Sequence, residues 1–290
     1  MHLANPQIPA SKAAATREIW KAGRGSLQFK SVRGRTVLTE ARATNPLAIV
    51  SPRTRTDFAW AVCATLGGGL LAGDEIRINV SVAPNCRAVI GTQASTKIFR
   101  SENGAISCQS LTASVGANAM LILAYDPVTC FAGAFYEQRQ SIELAGSASL
   151  VVIDWFTSGR WSRGERWAMK SYRSALDIFV NGKQMLRDHL RLDAADGDLA
   201  SPSRMGRFNC FATVVIIGEQ LSVAAQKLLE VVAQQPISVS AEIVFSASAI
   251  PGGAISRIAG PSVEAVADWL GEHLGFVAAL IGRDPLRRKQ

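Results

Sequence analysis

Leu66-Gly67-Gly68-Gly69-Leu70-Leu71-Ala72-Gly73-Asp74-Glu75-Ile76, running on into Arg77-Ile78-Asn79-Val80-Ser81-Val82, is the stretch that decides how this chain reads. From Ile76 to Val82 apolar and polar residues alternate without a break, the pattern of a strand with one face in a core and one in water. The glycines therefore precede a strand. A phosphate-cradling glycine loop instead aims the N-terminus of a following helix at its anion and carries a Lys-Ser/Thr pair. This loop has neither, so a nucleotide site is excluded here.

Working outward, short strands recur. Ser26–Val32 alternates, Arg33-Gly34-Arg35 turns, and Thr36–Thr39 returns as a hairpin. Strands are predicted at 88–92, 107–115, 119–124, 136–144, 149–156, 175–180 and 211–217, punctuated by turns such as Gly116-Ala117-Asn118 and Gly146-Ser147. Cys63, Cys86, Cys108 and Cys130 stand 23, 22 and 22 residues apart, a period compatible with stacked solenoid rungs. Two helices are predicted late in the chain, on apolar faces at Leu221, Ala225, Leu228, Leu229, Val232 and at Val266, Trp269, Leu270, Leu274, Val277, Ile281, with Ser222 and Ser262 as N-caps. The expected fold is mainly β: a many-stranded, helix-like stack of β-strands, a β-solenoid or distorted sandwich, with two α-helices near the C-terminus. Residues 1–16 read as a disordered segment, 17–285 as one β-rich domain and 286–290 as a basic tail.

Composition narrows the function classes. The chain has 290 residues, 48% of them hydrophobic, ample for a large core. No run reaches the ~18 apolar residues of a membrane helix, and the first residues lack the apolar block of a signal peptide; a cytoplasmic protein without a membrane role is expected. Five cysteines and three histidines, with no Cys-x-x-Cys and no histidine pair at ligand spacing, argue against a disulfide framework and against a tight imidazole–thiolate metal site. The net charge of +8 is an N-terminal property: residues 1–60 carry ten Lys/Arg against three Asp/Glu, leaving 21 against 20 in the other 230. Without clustered aromatics in that segment, an acidic protein partner accounts for it at least as well as nucleic acid, which is not expected to bind.

Four segments carry the candidate chemistry. In the glycine segment, Gly68, Gly69 and Gly73 serve tight turns or close backbone approach, and Asp74 is either a solvated turn residue or an oxygen ligand for a divalent cation. Thr92-Gln93-Ala94-Ser95-Thr96-Lys97-Ile98-Phe99-Arg100-Ser101 crowds hydroxyls beside two cations: Thr92, Ser95, Thr96 and Lys97, with Arg100, line a strand surface or a narrow polar passage. Tyr125-Asp126-Pro127-Val128-Thr129-Cys130-Phe131 breaks a strand at Asp-Pro. Asp154–Trp167 alternates three tryptophans with charge around two glycines, a composition favoured at protein interfaces; Arg160 and Glu165 belong to it, Glu165 either ion-paired or functional. No Gly-x-Ser-x-Gly, His-Glu-x-x-His or Walker lysine occurs, so no catalytic residue is assigned. The enzymatic alternative is a carbohydrate-active β-solenoid using Asp74, Lys97 and Arg100.

Taken together and in this order, LGGGLLAGD, TQASTKIFRS, YDPVTCF and DWFTSGRWSRGE resemble the urease accessory proteins called UreD, or UreH. The resemblance implies a non-enzymatic scaffold, mostly β, that joins UreF-like and UreG-like partners and docks on apo-urease, with a dimer inside that complex as one form it can take. It implies a role in nickel insertion, with no tightly bound cofactor and a transient Ni²⁺ passing through an internal tunnel. Asp74 and Glu165 match the acidic positions of the family's motifs and are the expected metal-passage residues. Gly68, Gly69, Gly73, Thr92, Ser95, Thr96, Lys97, Arg100 and Arg160 follow as tunnel or interface residues. One departure is Ala72, where relatives carry glycine or serine. Sparse oxygen ligands suit a passage that must release its ion, which is the physical sense of so ligand-poor a chain.

Overall fold

The computed structural model describes residues 22–53, 56–236, 238 and 240–285; the expected disordered segment 1–16 and the basic tail 286–290 lie outside them. Among these described residues seventeen strands form two stacked sheets. The first takes β1 (Gly23–Val32), β2 (Arg35–Ala43), β5 (Glu75–Val82), β8 (Ser107–Val115), β11 (Phe135–Leu144), β13 (Ser171–Val180) and β14 (Lys183–Asp193), in the order β14-β13-β11-β8-β5-β1-β2. The second runs β16 (Val244–Ile250), β17 (Gly253–Gly260), β15 (Cys210–Ile217), β12 (Ser149–Thr157), β9 (Met120–Ala124), β6 (Arg87–Thr92), β4 (Ala59–Thr65), β3 (Leu47–Val50), with the short β7 (Thr96–Ile98) and β10 (Val128–Cys130) attached beside β12.

The chain coils between the sheets. β5 leads to β6, β8 to β9 and β11 to β12, and each strand pairs in parallel with its counterpart one coil away: β5 with β8, β8 with β11, β6 with β9, β9 with β12. That is the expected solenoid-like stack, closed at its edges by antiparallel strands. The repeat differs from the cysteine period. Val82 pairs with Val115, 33 residues on, and Val115 with Leu144, and Asn85 and Asn118 occupy the same turn of successive coils in left-handed backbone, with Asn118 Nδ2 donating to Asn85 Oδ1 at 3.3 Å. The four cysteines fall on β4, the β5–β6 turn, β8 and β10, which are not equivalent positions of the coil, so their even spacing marks no rung.

Burial explains which strands the sequence disclosed. The first sheet packs one face on the second sheet and wets the other, hence the strict alternation of β5, with Ile76, Ile78, Val80 and Val82 buried. The second sheet is covered on both faces, by the first sheet and by the helices, so β9 is buried at all five positions. Among the described residues three α-helices occur, one more than expected: α1 (Ser222–Gln234), α2 (Val263–His273) and α3 (Gly275–Ile281). The second expected face breaks at Leu274, whose backbone leaves helical geometry (φ −107°, ψ 20°). Ser262 caps α2 by accepting from Ala265 N at 3.2 Å. Ser222 does not cap α1: it has helical backbone, and Leu221, which offers no side-chain acceptor, stands at the cap position. Among the described residues no helix is long and apolar enough to cross a membrane.

Candidate functional site

All four motifs lie in the connections that carry the chain from the second sheet back to the first, side by side along one edge of the stack. In the first, Gly67, Gly68 and Gly73 have positive φ, which lets the loop double back so that Leu70 lies along β7: Leu70 N donates to Lys97 O at 2.8 Å and Phe99 N to Leu70 O at 2.9 Å. Gly69 sits so close that a Cβ there would stand 2.4 Å from Lys97 O and 2.6 Å from the Phe99 ring; no larger residue admits this contact. β7 of the second motif then pairs with β10 of the third, and β10 with the end of β12, where the fourth begins. The segments are one structural unit.

Their side chains divide into two groups. Thr92, Ser95, Thr96, Lys97 and Gly68 line a half-open pocket of about 170 Å³ with Cys63, Ile76 and Gln109. Behind it lies an internal cavity of about 20 Å³, which shares Thr92, Thr96 and Gln109 as a common wall and reaches Asp126, Gln138, Gln140 and Asp154. That volume is close to one water molecule. Thr92 and Asp126 lock this wall reciprocally: the hydroxyl donates to Asp126 Oδ2 at 2.9 Å and accepts from Asp126 N at 2.7 Å. Asp154 Oδ2 accepts from Gln138 Nε2 at 2.7 Å and from Ser174 Oγ at 3.3 Å.

The inner cavity is underfilled with hydrogen bonds. Gln140 Oε1 and Tyr125 Oη, both in its lining, are buried without a protein partner, the mark of a site that accommodates water or another polar guest. Burial pushes the Asp154 carboxyl up to about 6, against the opposing pull of its Gln138 and Ser174 hydrogen bonds. Sequence reading passed over Asp154 as the first residue of an interface loop. Its signal was positional: an acid on the inward register of Leu150, Val152 and Phe156, in an otherwise apolar strand.

The second group flanks an open cleft of about 780 Å³ that includes Phe99, Arg100, Phe131, Arg160, Glu165 and Lys170. The Arg160 guanidinium lies 4.1 Å over the Phe131 ring and pairs with Glu165 through Nε (2.9 Å) and Nη2; Glu165 also accepts from Ala132 N at 3.2 Å. The Arg160 hydrogen bond, first among the causes, holds the Glu165 carboxyl below its ordinary value. Of the three tryptophans, Trp155 and Trp167 are buried and donate to Tyr125 O and Phe208 O; Trp161 is 65% exposed.

Asp74 joins neither group. Its carboxylate accepts from Leu71 N at 2.8 Å, its own N donates to Leu71 O and its carbonyl accepts from Cys108 N, so it closes the glycine loop and splices it into β5 and β8. Asp74 and Glu165 are therefore not brought to a common cavity, and Asp74, Lys97 and Arg100 share no pocket among those that line this side, which leaves the glycosidase arrangement without its facing carboxylates. Gly73 turns the chain beside Ala105. Four of the five cysteines are buried, and burial pushes Cys63 and Cys210 up to about 12, leaving inert thiols. Among the described residues no three His, Cys, Asp or Glu side chains cluster to hold a metal.

Known proteins extend this likeness along the chain. The family described as "UreD urease accessory protein" matches residues 21–290. A urease accessory protein UreD of Sorangium cellulosum is 44% identical over 94% of this chain and 86% of its own length. One from Anaeromyxobacter is 40% identical over 92% and 90%, and urease accessory protein D of indica rice 36% identical over 74% and 70%. The fold and its motif-built side thus belong to a class of urease accessory proteins. The chain is a member of the UreD family of urease accessory proteins.

Proposed function

We propose that this chain acts in urease maturation as a non-catalytic scaffold which, with UreF-like and UreG-like partners, delivers nickel to apo-urease, the ion passing through the polar interior between the two sheets. The observation that carries the reading is the pair of cavities sharing Thr92, Thr96 and Gln109, which leads from the Gly68–Lys97 surface to Asp154. Hydroxyl, amide and carboxylate oxygens line it. Such ligands replace part of the hydration of a divalent cation without holding it as tightly as an imidazole–thiolate cage. Asp154 supplies the inner negative charge; Asp74 shapes the mouth from beneath, and Glu165 holds the neighbouring loop.

The test is co-expression of an apo-urease operon with this chain or with Asp154→Asn combined with Thr96→Val. Purified urease should carry markedly less nickel with the variant, while the amount of variant recovered with its partner proteins is unchanged. Normal nickel loading with the variant sinks the passage, and normal urease activation without this chain sinks the maturation role altogether. Cytoplasmic action follows from this reading, since the partners and apo-urease would meet there.

A further inference from the structure

The cleft beside the cavities has a composition that the passage of a cation does not use. Phe99 and Phe131 meet edge-on at 5.2 Å between centroids, and with Phe135 they give the cleft an aromatic floor. Arg100 and Lys170 stand on its rim, exposed and without an ion pair among the described residues. Arg160 is neutralised by Glu165.

The surrounding surface continues both properties. Trp161, 65% exposed, adjoins Arg160, and Leu71 (52%) and Ile106 (42%) flank the glycine loop, where Ser107 Oγ donates to Leu71 O and ties the two together. Lys97 and Arg163 are further exposed cations without an ion pair. In the cleft itself two such cations, Arg100 and Lys170, stand against one carboxylate without an ion pair among the described residues, Glu102. A tryptophan, aromatics and arginines around a concave apolar floor are the makings of a protein-binding hot spot, and the surplus of cations fixes the sign of what binds.

We infer that this side of the stack docks an acidic segment of a partner protein, an aromatic or aliphatic side chain of that segment seating on the half-buried Phe99 and Phe135 while its carboxylates pair with Arg100 and Lys170. The aromatic floor distinguishes this from a site for bare anions. The inference stands apart from nickel passage, because none of its residues lines the inner cavity.

Fluorescence anisotropy of a labelled twelve-residue Glu/Asp peptide with one central Phe, titrated with the full chain at low salt, tests it. Saturable binding is expected, weakened at least tenfold by Arg100→Glu with Lys170→Glu and also by replacing the peptide's Phe with Ser. Lys30→Glu with Lys227→Glu, which makes the same change in net charge on β1 and α1, should leave it unchanged. Both pairs are exposed, and equal thermal melts establish that the variants fold. No binding, equal loss in both double variants, indifference to the peptide's Phe, or tighter binding of anionic phosphatidylserine vesicles or a dT12 oligonucleotide than of the peptide would each overturn the inference.

Discussion

Asp154→Asn should make the chain more stable at neutral pH, and the gain should vanish in acid. In the folded chain the Asp154 carboxyl titrates at about 6 against an ordinary 3.8, so between those values the folded state binds more protons than the unfolded one. Stability contributed by the bound proton is complete below the unfolded value and is lost as pH rises through the folded one. A shift of about two units at ~1.4 kcal/mol each sets the loss at about 3 kcal/mol. Asparagine keeps an oxygen for the Gln138 and Ser174 donors and has no charge to desolvate. Urea denaturation of both proteins from about pH 3 to pH 8 should therefore show curves that run together below about pH 4 and diverge by about 3 kcal/mol by pH 7, the variant the more stable. Parallel curves across the whole range would refute the argument, since they would mean that Asp154 reaches bulk water and ionises freely.

Gly69→Ala should cost about 1–3 kcal/mol in the same assay, because its methyl meets the Lys97 carbonyl and the Phe99 ring; an unchanged midpoint would mean that Leu70 does not lie on β7. Glu165 titrates below its ordinary value, so its contribution is present above the unfolded carboxylate range and disappears as pH falls through the folded value; Glu165→Gln should flatten the acid limb of stability and leave the alkaline limb alone. Ser262→Ala should cost about 1 kcal/mol as a lost cap, while Ser222→Ala changes stability by no more than a few tenths. Tyr125→Phe should be neutral or stabilising, since its buried hydroxyl has no protein partner; a loss above about 1 kcal/mol would point to a fixed water there.

What the sequence disclosed of the fold follows from where water is. β5 and β8 lie in the sheet with one wet face, and their alternation placed them to within a residue. β14 was missed because it is an edge strand with little buried surface, Lys183–Asp193 having no fully buried position, and β4 because its successive residues Ala59, Trp60 and Ala61 are all buried and so have no period to read. The repeat was missed for a related reason: turns and coil lengths vary, and the equivalent positions are held by different apolar residues. Asn85 and Asn118, each accepting left-handed backbone at the same corner, were the legible markers of it.

The site was legible in its motifs and not in its chemistry. Gly69, Thr96, Val128 and Phe156 recur as neighbours because three short strands and one loop stack there, a relation that spacing along the chain does not encode. Spacing drew attention to Asp74 and Glu165, whose carboxylates are conspicuous beside glycines, yet each is satisfied locally, by Leu71 N and by Arg160. The residue left with an energetic debt is Asp154, which accepts two hydrogen bonds and still titrates about two units high. An apolar residue of similar size would fill that register at no such cost. A carboxylate retained where it destabilises the core, beside an orphaned Gln140 oxygen and a water-sized cavity, is where a demand other than stability is most directly visible in this chain; Asp154→Asn should raise stability and, under the passage proposed above, lower the nickel content of urease in the same protein.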